Sequence, residues 1–158
     1  WSRLILVNDS IVGPLNAADF DRLMKRLRQS NADVVGLTEN RSPPRHLQSF
    51  FLALNASALH NEVVPQVFER ILNLPNKGQV IEVYEARLTG VLSRQGLRCE
   101  ALFAPLTEDL HTANDTAFRW AQLIRAGFPY IKASVLERFR DHPDVRALVP
   151  AEFLGAAD

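Results

Sequence analysis

The first fourteen residues constrain the fold more than any other stretch of the chain. An unbroken apolar run, 4–7, leads into Asn8-Asp9-Ser10 and then into a Gly13-Pro14 turn. Short apolar runs without alternation are typical of strands buried on both faces, as in parallel sheets. Open α/β sheets bind ligands outside the carboxyl ends of such strands. The pattern therefore predicts a ligand site at Asp9. The alternative is an Asx-type turn, in which Asn8 and Asp9 bond only nearby backbone.

The composition is that of one ordinary globular domain. The 158 residues are 47% hydrophobic and 23% charged, and a chain of this length can bury a sizeable core. Eighteen basic residues balance eighteen acidic ones, so net charge favours neither nucleic acid nor an anionic membrane surface. The single cysteine, Cys99, cannot form an intrachain disulfide, and we expect a buried, unreactive thiol in a strand.

The chain has no apolar run near the roughly 20 residues that span a bilayer, and no signal peptide opens it. These two observations predict a cytoplasmic location. Trp1 stands where an initiating Met would be, and only Ser2 and Arg3 separate it from the first apolar run. We therefore expect further residues upstream in the native protein.

Periodicity along the chain predicts alternating strands and helices, and hence a single α/β domain. Asn16 is expected to cap a helix over 17–28, whose apolar stripe is Phe20, Leu23, Met24 and Leu27. Residues 33–38 are expected to form the next strand, a unit compatible with a right-handed crossover. The other predicted strands are 46–54 and 98–103, and the other predicted helices are 56–73, 79–95, 131–139 and one from an Asn114 cap to about 126. The tail after 141 shows only weak periodicity.

Several common catalytic motifs are missing from the sequence. The four histidines are scattered without short-range pairing and there is no second cysteine, which disfavours a structural zinc site. Neither GxGxxG nor GxxxxGK occurs among the seven glycines, and there is no GxSxG elbow. The sequence therefore contains neither a recognisable phosphate-binding glycine loop nor the nucleophile motif of the α/β-hydrolases.

Three carboxylates remain as candidates for chemistry: Asp9, Glu39 and Glu85. At about 100° per residue, Glu85 projects beside Ile81 and Leu92, at the edge of the apolar stripe of its helix. We expect partial desolvation to raise the pKa of Glu85, which suits a general base. The alternative is a boundary glutamate whose stem packs while its carboxylate stays hydrated.

Five short motifs follow one another along the chain. They are Asn8-Asp9-Ser10 with Gly13-Pro14, Gly36-Leu37-Thr38-Glu39, His46-Leu47-Gln48-Ser49-Phe50-Phe51, Tyr84-Glu85 with Leu88-Thr89, and Asn114 through Trp120 to Gly127-Phe128-Pro129-Tyr130-Ile131-Lys132. Their order and spacing over 4–132 resemble the rhamnan synthesis protein F family of bacterial glycosyltransferase-like proteins, which serve rhamnose-containing cell-wall polysaccharide and O-antigen synthesis. The resemblance implies a GT-A-like fold, a mostly parallel sheet flanked by helices that binds a nucleotide-sugar.

The resemblance also implies roles for two carboxylates. Asp9 matches the metal motif, in which a carboxylate holds Mg²⁺ or Mn²⁺ on the donor pyrophosphate. Asn8-Asp9-Ser10 offers a single carboxylate, a weaker site for a hard cation, so metal dependence stays open. Glu85 matches the acidic residue of a helix that precedes a late strand. In an inverting transfer it would deprotonate the acceptor hydroxyl.

Substrate contacts are implied for Asn8, Ser10, Glu39, His46, Gln48 and Lys132. His46 and Gln48 would bond sugar hydroxyls, or alternatively satisfy loop backbone at a strand entry. Lys132 would face a phosphate, or alternatively be a solvent-facing lysine at a helix start. Trp120 lies among apolar helical positions and is expected in the core rather than as a sugar-stacking platform.

One departure from the GT-A pattern concerns the nucleotide-binding strands. GT-A domains place them before the metal motif, which this chain reaches by residue 9. We therefore expect residues 1–158 to be the metal-motif and acceptor part of such a domain. The expected reaction moves L-rhamnose from dTDP-rhamnose to a lipid-linked or growing polysaccharide, with peripheral association at the inner face of the plasma membrane. The alternatives are a non-catalytic carbohydrate-binding or assembly module, and a plain α/β interaction domain.

Overall fold

Short strands alternate with short helices in the computed structural model, which describes residues 2–72 and 74–154. The strands are β1 (Arg3–Val7), β2 (Ile11–Val12), β3 (Val34–Gly36), β4 (Glu39–Asn40), β5 (His46–Leu47), β6 (Phe51–Asn55), β7 (Cys99–Ala101) and β8 (Ile131–Lys132). The helices are α1 (Ala17–Gln29), α2 (Ala56–Leu59), α3 (Val63–Glu69), α4 (Lys77–Val80), α5 (Ala86–Arg94), α6 (Asp115–Phe118), α7 (Trp120–Arg125), α8 (Ala133–Arg138) and α9 (Pro143–Leu148). A π-helical turn, Ile81–Glu85, joins α4 to α5.

The central sheet has the order β1-β6-β3-β7. Strand β6 is antiparallel to both of its neighbours, whereas β3 and β7 are parallel. The mixed α/β class is thus confirmed, but a mostly parallel sheet is not observed. The reason is the path of the chain after β3. It passes through the β4–β5 ribbon and returns antiparallel as β6, between β1 and β3.

Strand β1 lies at an edge of this sheet, so the prediction that it is buried on both faces was wrong. Leu4, Ile5 and Val7 are 42%, 36% and 55% exposed. A strand with a neighbour on one side only leaves part of its surface uncovered, whatever its hydropathy. Within the central sheet, the strands that are buried on both faces are β3 and β6.

Successive residues of β3 and β6 pack into two separate hydrophobic cores, one on each face of the sheet, because side chains alternate between the two faces along a strand. Val35 and Ala53 join the cluster that contains Leu23 and Leu27 of α1. Val34, Leu52 and Leu54 join the cluster on the other face, with residues of α3 and α5. The predicted apolar stripe of α1 is confirmed, as is its cap: the Asn16 side-chain oxygen accepts from the Asp19 N–H at 2.8 Å.

The predicted elements in the middle of the chain are broken into shorter pieces. The 46–54 strand divides into β5 and β6 around a turn, and the 79–95 helix contains the π-helical turn. The 56–73 helix divides into α2 and α3, and its predicted end at Asn73 lies outside the described residues. Pro65 sits in the first turn of α3, where proline is tolerated.

The predicted 114–126 helix breaks at Arg119, whose backbone (φ −130°) is not helical. Asn114 occupies the N-cap position of α6 but its side chain makes no cap hydrogen bond. It accepts from Thr116 (2.8 Å) and from Gln48 (3.2 Å) instead. Trp120 is 9% exposed and stacks on Phe139, as expected of a core residue.

Strand pairing also changes the last predicted elements. Ile131 and Lys132 pair with β2 as β8, so the helix predicted over 131–139 begins at Ala133. The tail after 141, with its weak periodicity, forms α9, and Val145 of this helix is fully buried. No helix in residues 2–72 and 74–154 is both long and apolar enough to cross a membrane.

Candidate functional site

An apolar cavity of about 460 Å³ opens between the edge of the sheet and the helices that cover it. Strands β1 and β6 form one wall, and α3, the π-helical turn and α5 form the rest. Apolar side chains from each element line it, among them Leu6, Leu52, Val67, Phe68, Leu88 and Val91. The volume is typical of small-molecule sites, which hold roughly 300–1,000 Å³.

A cluster of polar groups interrupts this apolar wall, formed by Asn8, Ser49 and Glu85. The Asn8 backbone N–H donates to the Phe50 carbonyl at 3.1 Å, which holds the end of β1 beside Ser49. The Ser49 hydroxyl and backbone N–H (3.2 Å) both donate to Glu85 Oε2. The cavity therefore combines an apolar wall with one carboxylate, that of Glu85.

Glu85 owes its inward position to the π-helical turn that ends on it. Such turns contain more residues than an α-helical turn, so they shift the face that each later side chain presents. The predicted neighbour Ile81 is 38% exposed, whereas the side chain of Glu85 is 19% exposed. The prediction from regular α-helical spacing that Glu85 projects beside Ile81 was therefore wrong, whereas the predicted partial burial of Glu85 is confirmed.

The pKa of Glu85 is shifted in the direction opposite to the one expected. Burial raises this pKa, as the sequence suggested. Hydrogen bonds from His46 and Ser49 and the charge of Lys132 lower it, and together they outweigh the effect of burial. The net effect is a pKa below the ordinary value of 4.5. The expectation of a raised pKa was therefore wrong, and Glu85 is an ionised carboxylate at neutral pH.

His46 is the charge partner of Glu85. Its Nδ1 lies 2.6 Å from the Pro44 carbonyl oxygen, which can only accept, so Nδ1 carries a hydrogen. Its Nε2 is buried, has no hydrogen-bond partner among the described residues and faces Glu85 Oε1 at 3.7 Å. Burial lowers the pKa of His46, but the Glu85 carboxylate and the Pro44 carbonyl outweigh it, so the pKa is raised. A protonated His46 thus forms an ion pair with Glu85.

This ion pair predicts a bell-shaped contribution to stability. The raised pKa of His46 stabilises the fold fully below its ordinary value of 6.5, and that stability is lost as pH rises through the folded pKa. The lowered pKa of Glu85 stabilises the fold fully above 4.5, and that stability is lost as pH falls through the folded pKa. Urea unfolding at a series of pH values should therefore show the greatest contribution between 4.5 and 6.5.

His46→Gln should flatten the alkaline side of that dependence, while His60→Gln, at an exposed position, should leave it unchanged. Parallel curves for His46→Gln and the unaltered protein would contradict the ion pair.

Lys132 contributes a positive charge to the same region. Its Nζ lies 5.4 Å from the centroid of the Phe50 ring, within cation–π range, and its charge is one of the causes that lower the pKa of Glu85. The pairing of β8 with β2 places it there. Lys132 is half-buried, which speaks against the alternative of a solvent-facing lysine.

The Asn8-Asp9-Ser10 segment forms a local turn of the kind considered above. The Asn8 side-chain oxygen accepts from the Ser10 backbone N–H (3.0 Å) and hydroxyl (2.5 Å). Asn8 lines the cavity, and Asp9 beside it is exposed. Within residues 2–72 and 74–154, no three His, Cys, Asp or Glu side chains lie close enough together to hold a metal ion. Asp9 is the one carboxylate at this turn, so the Mg²⁺ or Mn²⁺ that the family resemblance implied would need the donor diphosphate or further residues to complete its ligands.

Glu39 and Gln48 lie away from the cavity. Glu39 accepts from Arg45 Nε at 2.8 Å, beside a separate, smaller cavity. Gln48 is 2% exposed, and its amide bonds internal partners at 2.8 to 3.2 Å: Thr38, Asn114 and Thr116. The Gln48 amide is thus used inside the protein, where it joins the β5 loop to α6.

Cys99 is half-buried in β7, and burial raises the pKa of its thiol. This agrees with the expected unreactive cysteine.

Sequence reasoning did not select Ser49 or Thr89 as site residues, although both stand in the quoted motifs. Ser49 donates twice to Glu85, and Thr89 Oγ accepts from the Leu47 backbone N–H at 2.8 Å. Thr89 follows Glu85 by four residues, the spacing that places two side chains on one helix face. That spacing was the available signal for Thr89, whereas Ser49 could be recognised only from the pairing across the fold.

The fold and the site together define a mixed α/β protein in which an apolar cavity presents one ionised, charge-paired carboxylate. The sequence profile of the rhamnan synthesis protein F family matches residues 1–149, and the chain belongs to this family.

Two curated relatives match the chain, both called virulence protein VirA and both from Vibrio anguillarum, one of them from strain ATCC 68554 / 775. Each is 25% identical over 170 residues, which cover 89% of this chain and 53% of the relative. The chain thus spans about half the length of the curated relatives it matches. No solved structure matches it.

Proposed function

We propose that this chain is the acceptor-binding part of a glycosyltransferase of bacterial cell-surface polysaccharide synthesis. The reaction transfers L-rhamnose from dTDP-rhamnose to a lipid-linked or growing polysaccharide, with inversion at the anomeric carbon. Membership of the rhamnan synthesis protein F family supports the polysaccharide and the sugar. The observation that carries the proposal is the ionised Glu85 carboxylate on the wall of the apolar cavity.

In this mechanism an acceptor hydroxyl lies against Glu85, which removes its proton as the oxygen attacks C1 of the rhamnose. A new C1–O bond forms while the bond from C1 to the diphosphate oxygen breaks, and its electron pair leaves with dTDP. The proton then passes from Glu85 to solvent. The lowered pKa keeps Glu85 deprotonated at neutral pH but makes it a weaker base than a carboxylate of raised pKa. The Ser49 hydrogen bonds orient it toward the acceptor hydroxyl.

The donor diphosphate is assigned to Lys132 and to the segment Asn8-Asp9-Ser10 at the carboxyl end of β1. Lys132 brings a positive charge near Glu85. The Ser10 backbone N–H and hydroxyl, which donate to Asn8 Oδ1 in this structure, would donate to the diphosphate instead. A GT-A-like arrangement would take its nucleoside-binding strands from residues outside those described. No step is assigned to a metal, because the turn at Asn8 offers a single carboxylate, Asp9.

A second candidate is a non-catalytic carbohydrate-binding or assembly module. It is favoured by one observation: Glu85 Oε2 already accepts from Ser49, and Oε1 lies 3.7 Å from Nε2 of His46, its charge partner when His46 is protonated. In the second candidate, a carboxylate held in this way has a structural role: it fixes α5 against the β5–β6 turn.

Calorimetric titration of dTDP and dTDP-rhamnose into the intact protein, with and without Mn²⁺, tests the proposal. We expect dTDP-rhamnose to bind, and Lys132→Ala to weaken binding because a diphosphate loses a nearby cation. Arg138→Ala, an exposed cation on α8, is the matched control. Dependence on Mn²⁺ that disappears in Asp9→Ala would show that Asp9 holds a metal together with the diphosphate of the ligand. Absence of binding under all conditions would favour the non-catalytic module.

A further inference from the structure

We propose that the apolar cavity binds an amphiphile with one hydrocarbon chain and an anionic, phosphate-type head group. The inference rests on the proposed function, since it assigns the cavity beside Glu85 to the lipid part of the acceptor.

The first observation is the exposure of the apolar wall. Val7, Ile71, Val80 and Val83 line the cavity and are 55%, 46%, 40% and 40% exposed. Soluble proteins rarely leave contiguous apolar surface uncovered unless it binds something. Because this surface is concave and of small-molecule size, a slender ligand fits it better than a flat protein face.

The second observation is the scarcity of hydrogen-bonding groups on this wall. A sugar or nucleoside buried here would lose hydrogen bonds to water at most of its hydroxyls without replacement, which is costly. A hydrocarbon chain has no such groups to desolvate and gains from the same burial. The wall therefore selects a hydrocarbon, and only the cluster of Asn8, Ser49 and Glu85 suits a sugar hydroxyl.

The third observation is the charge around the cavity. Arg70 and Arg87 complete its lining and both are exposed, so their guanidinium groups can meet an anion while solvated. Guanidinium is well matched to phosphate oxygens. Glu85 is ionised and would repel an anion. An anionic head group is therefore directed to the arginines, and an uncharged hydroxyl to Glu85.

The wall is also held in place without a ligand. The Tyr84 hydroxyl accepts from the Leu72 backbone N–H at 2.9 Å, which ties the segment after α3 to the π-helical turn. Ser49 ties the other end of that turn to the sheet through Glu85. A pre-formed cavity of this kind lowers the conformational cost of binding.

The test uses dodecyl phosphate, kept below its critical micelle concentration and titrated into the intact protein by calorimetry. Dodecyl maltoside supplies the same chain without the anion, and inorganic phosphate supplies the anion without the chain. We expect dodecyl phosphate to bind more tightly than dodecyl maltoside, and inorganic phosphate to give no measurable binding. If inorganic phosphate bound as tightly as dodecyl phosphate, the inference would be overturned in favour of a simple anion site.

Matched variants locate the site. Val83→Glu should weaken dodecyl phosphate binding by about tenfold or more, since a charge on the apolar wall must be desolvated. Ile81→Glu, two residues away on the same turn, 38% exposed and off the cavity wall, should leave binding unchanged. Arg87→Gln should lower affinity for dodecyl phosphate but not for dodecyl maltoside. Equal effects of Val83→Glu and Ile81→Glu would contradict the assignment.

Three further measurements keep the result unambiguous. Val83→Leu should fold and retain binding, so a loss in Val83→Glu cannot be attributed to the position alone. Sedimentation of the intact protein distinguishes a second copy as the occupant: a dimer that Val83→Glu dissociates, without amphiphile binding, overturns the inference. Glu85→Gln should keep dodecyl phosphate binding while it lowers turnover. Binding without turnover therefore contradicts only the proposed reaction, and turnover without binding contradicts only the amphiphile site.

Discussion

Replacement of Glu85 by Gln is expected to lower the turnover of the proposed rhamnosyl transfer by about 10²-fold or more, the typical contribution of a general base. Gln has the same shape and can still accept from Ser49, but an amide cannot take the proton of the acceptor hydroxyl. Donor binding should be largely retained, because Glu85 is assigned to the acceptor. Turnover is measured in the intact protein by release of dTDP, and donor binding by calorimetry.

Glu82→Gln is the matched control for this variant, since Glu82 belongs to the same π-helical turn and is exposed. It should leave turnover unchanged. Thermal unfolding of both variants separates a chemical effect from a loss of fold, because Glu85→Gln also removes the charge partner of His46. Normal turnover in a folded Glu85→Gln protein would exclude Glu85 from the mechanism.

Replacement of Gly13 by Ala is expected to destabilise the fold by about 3 kcal/mol or more, from backbone strain and overpacking together. Gly13 has φ +146°, a conformation that L side chains rarely adopt. An added Cβ would lie 2.6 Å from the Pro129 carbonyl oxygen, which is backbone and cannot rotate away. Because Pro129 precedes β8, the clash also disturbs the β2–β8 pairing that positions Lys132.

Gly96→Ala separates these two causes. Gly96 also has a positive φ, +77°, but no atom lies within 4 Å of the position of an added Cβ. Its replacement should therefore cost only the strain, about 1–2 kcal/mol. The free energy of unfolding in urea is the measurement for both variants. Equal losses for Gly13→Ala and Gly96→Ala would show that contact with Pro129 contributes nothing.

The elements that were predicted best from the sequence are those whose sequence patterns involve residues only a few positions apart. Helix α1 is an example, because its Asn16 cap and its apolar stripe at Leu23 and Leu27 are local patterns. The apolar run of β1 predicted a strand correctly, but not its neighbours. Burial on both faces depends on what pairs with a strand, and β1 has a partner on one side only.

The candidate site divides in the same way. The motifs identified Glu85, His46 and Lys132 as residues of interest, and the structure brings these three into one region. It leaves Glu39 with Arg45 and encloses Gln48 among internal partners. Residues in one short motif can face opposite sides of a strand or loop, so proximity in sequence did not establish a shared site.

The sequence by itself determined the α/β class, the cap and stripe of α1, and the membership of the rhamnan synthesis protein F family. Only the tertiary structure decided that β6 separates β1 from β3, and that the pKa of Glu85 is lowered rather than raised. The physical reason is the range of the interactions. Capping and helical periodicity act within a few residues, whereas Ser49 and His46 reach Glu85 from more than thirty-five residues away and outweigh the effect of its burial.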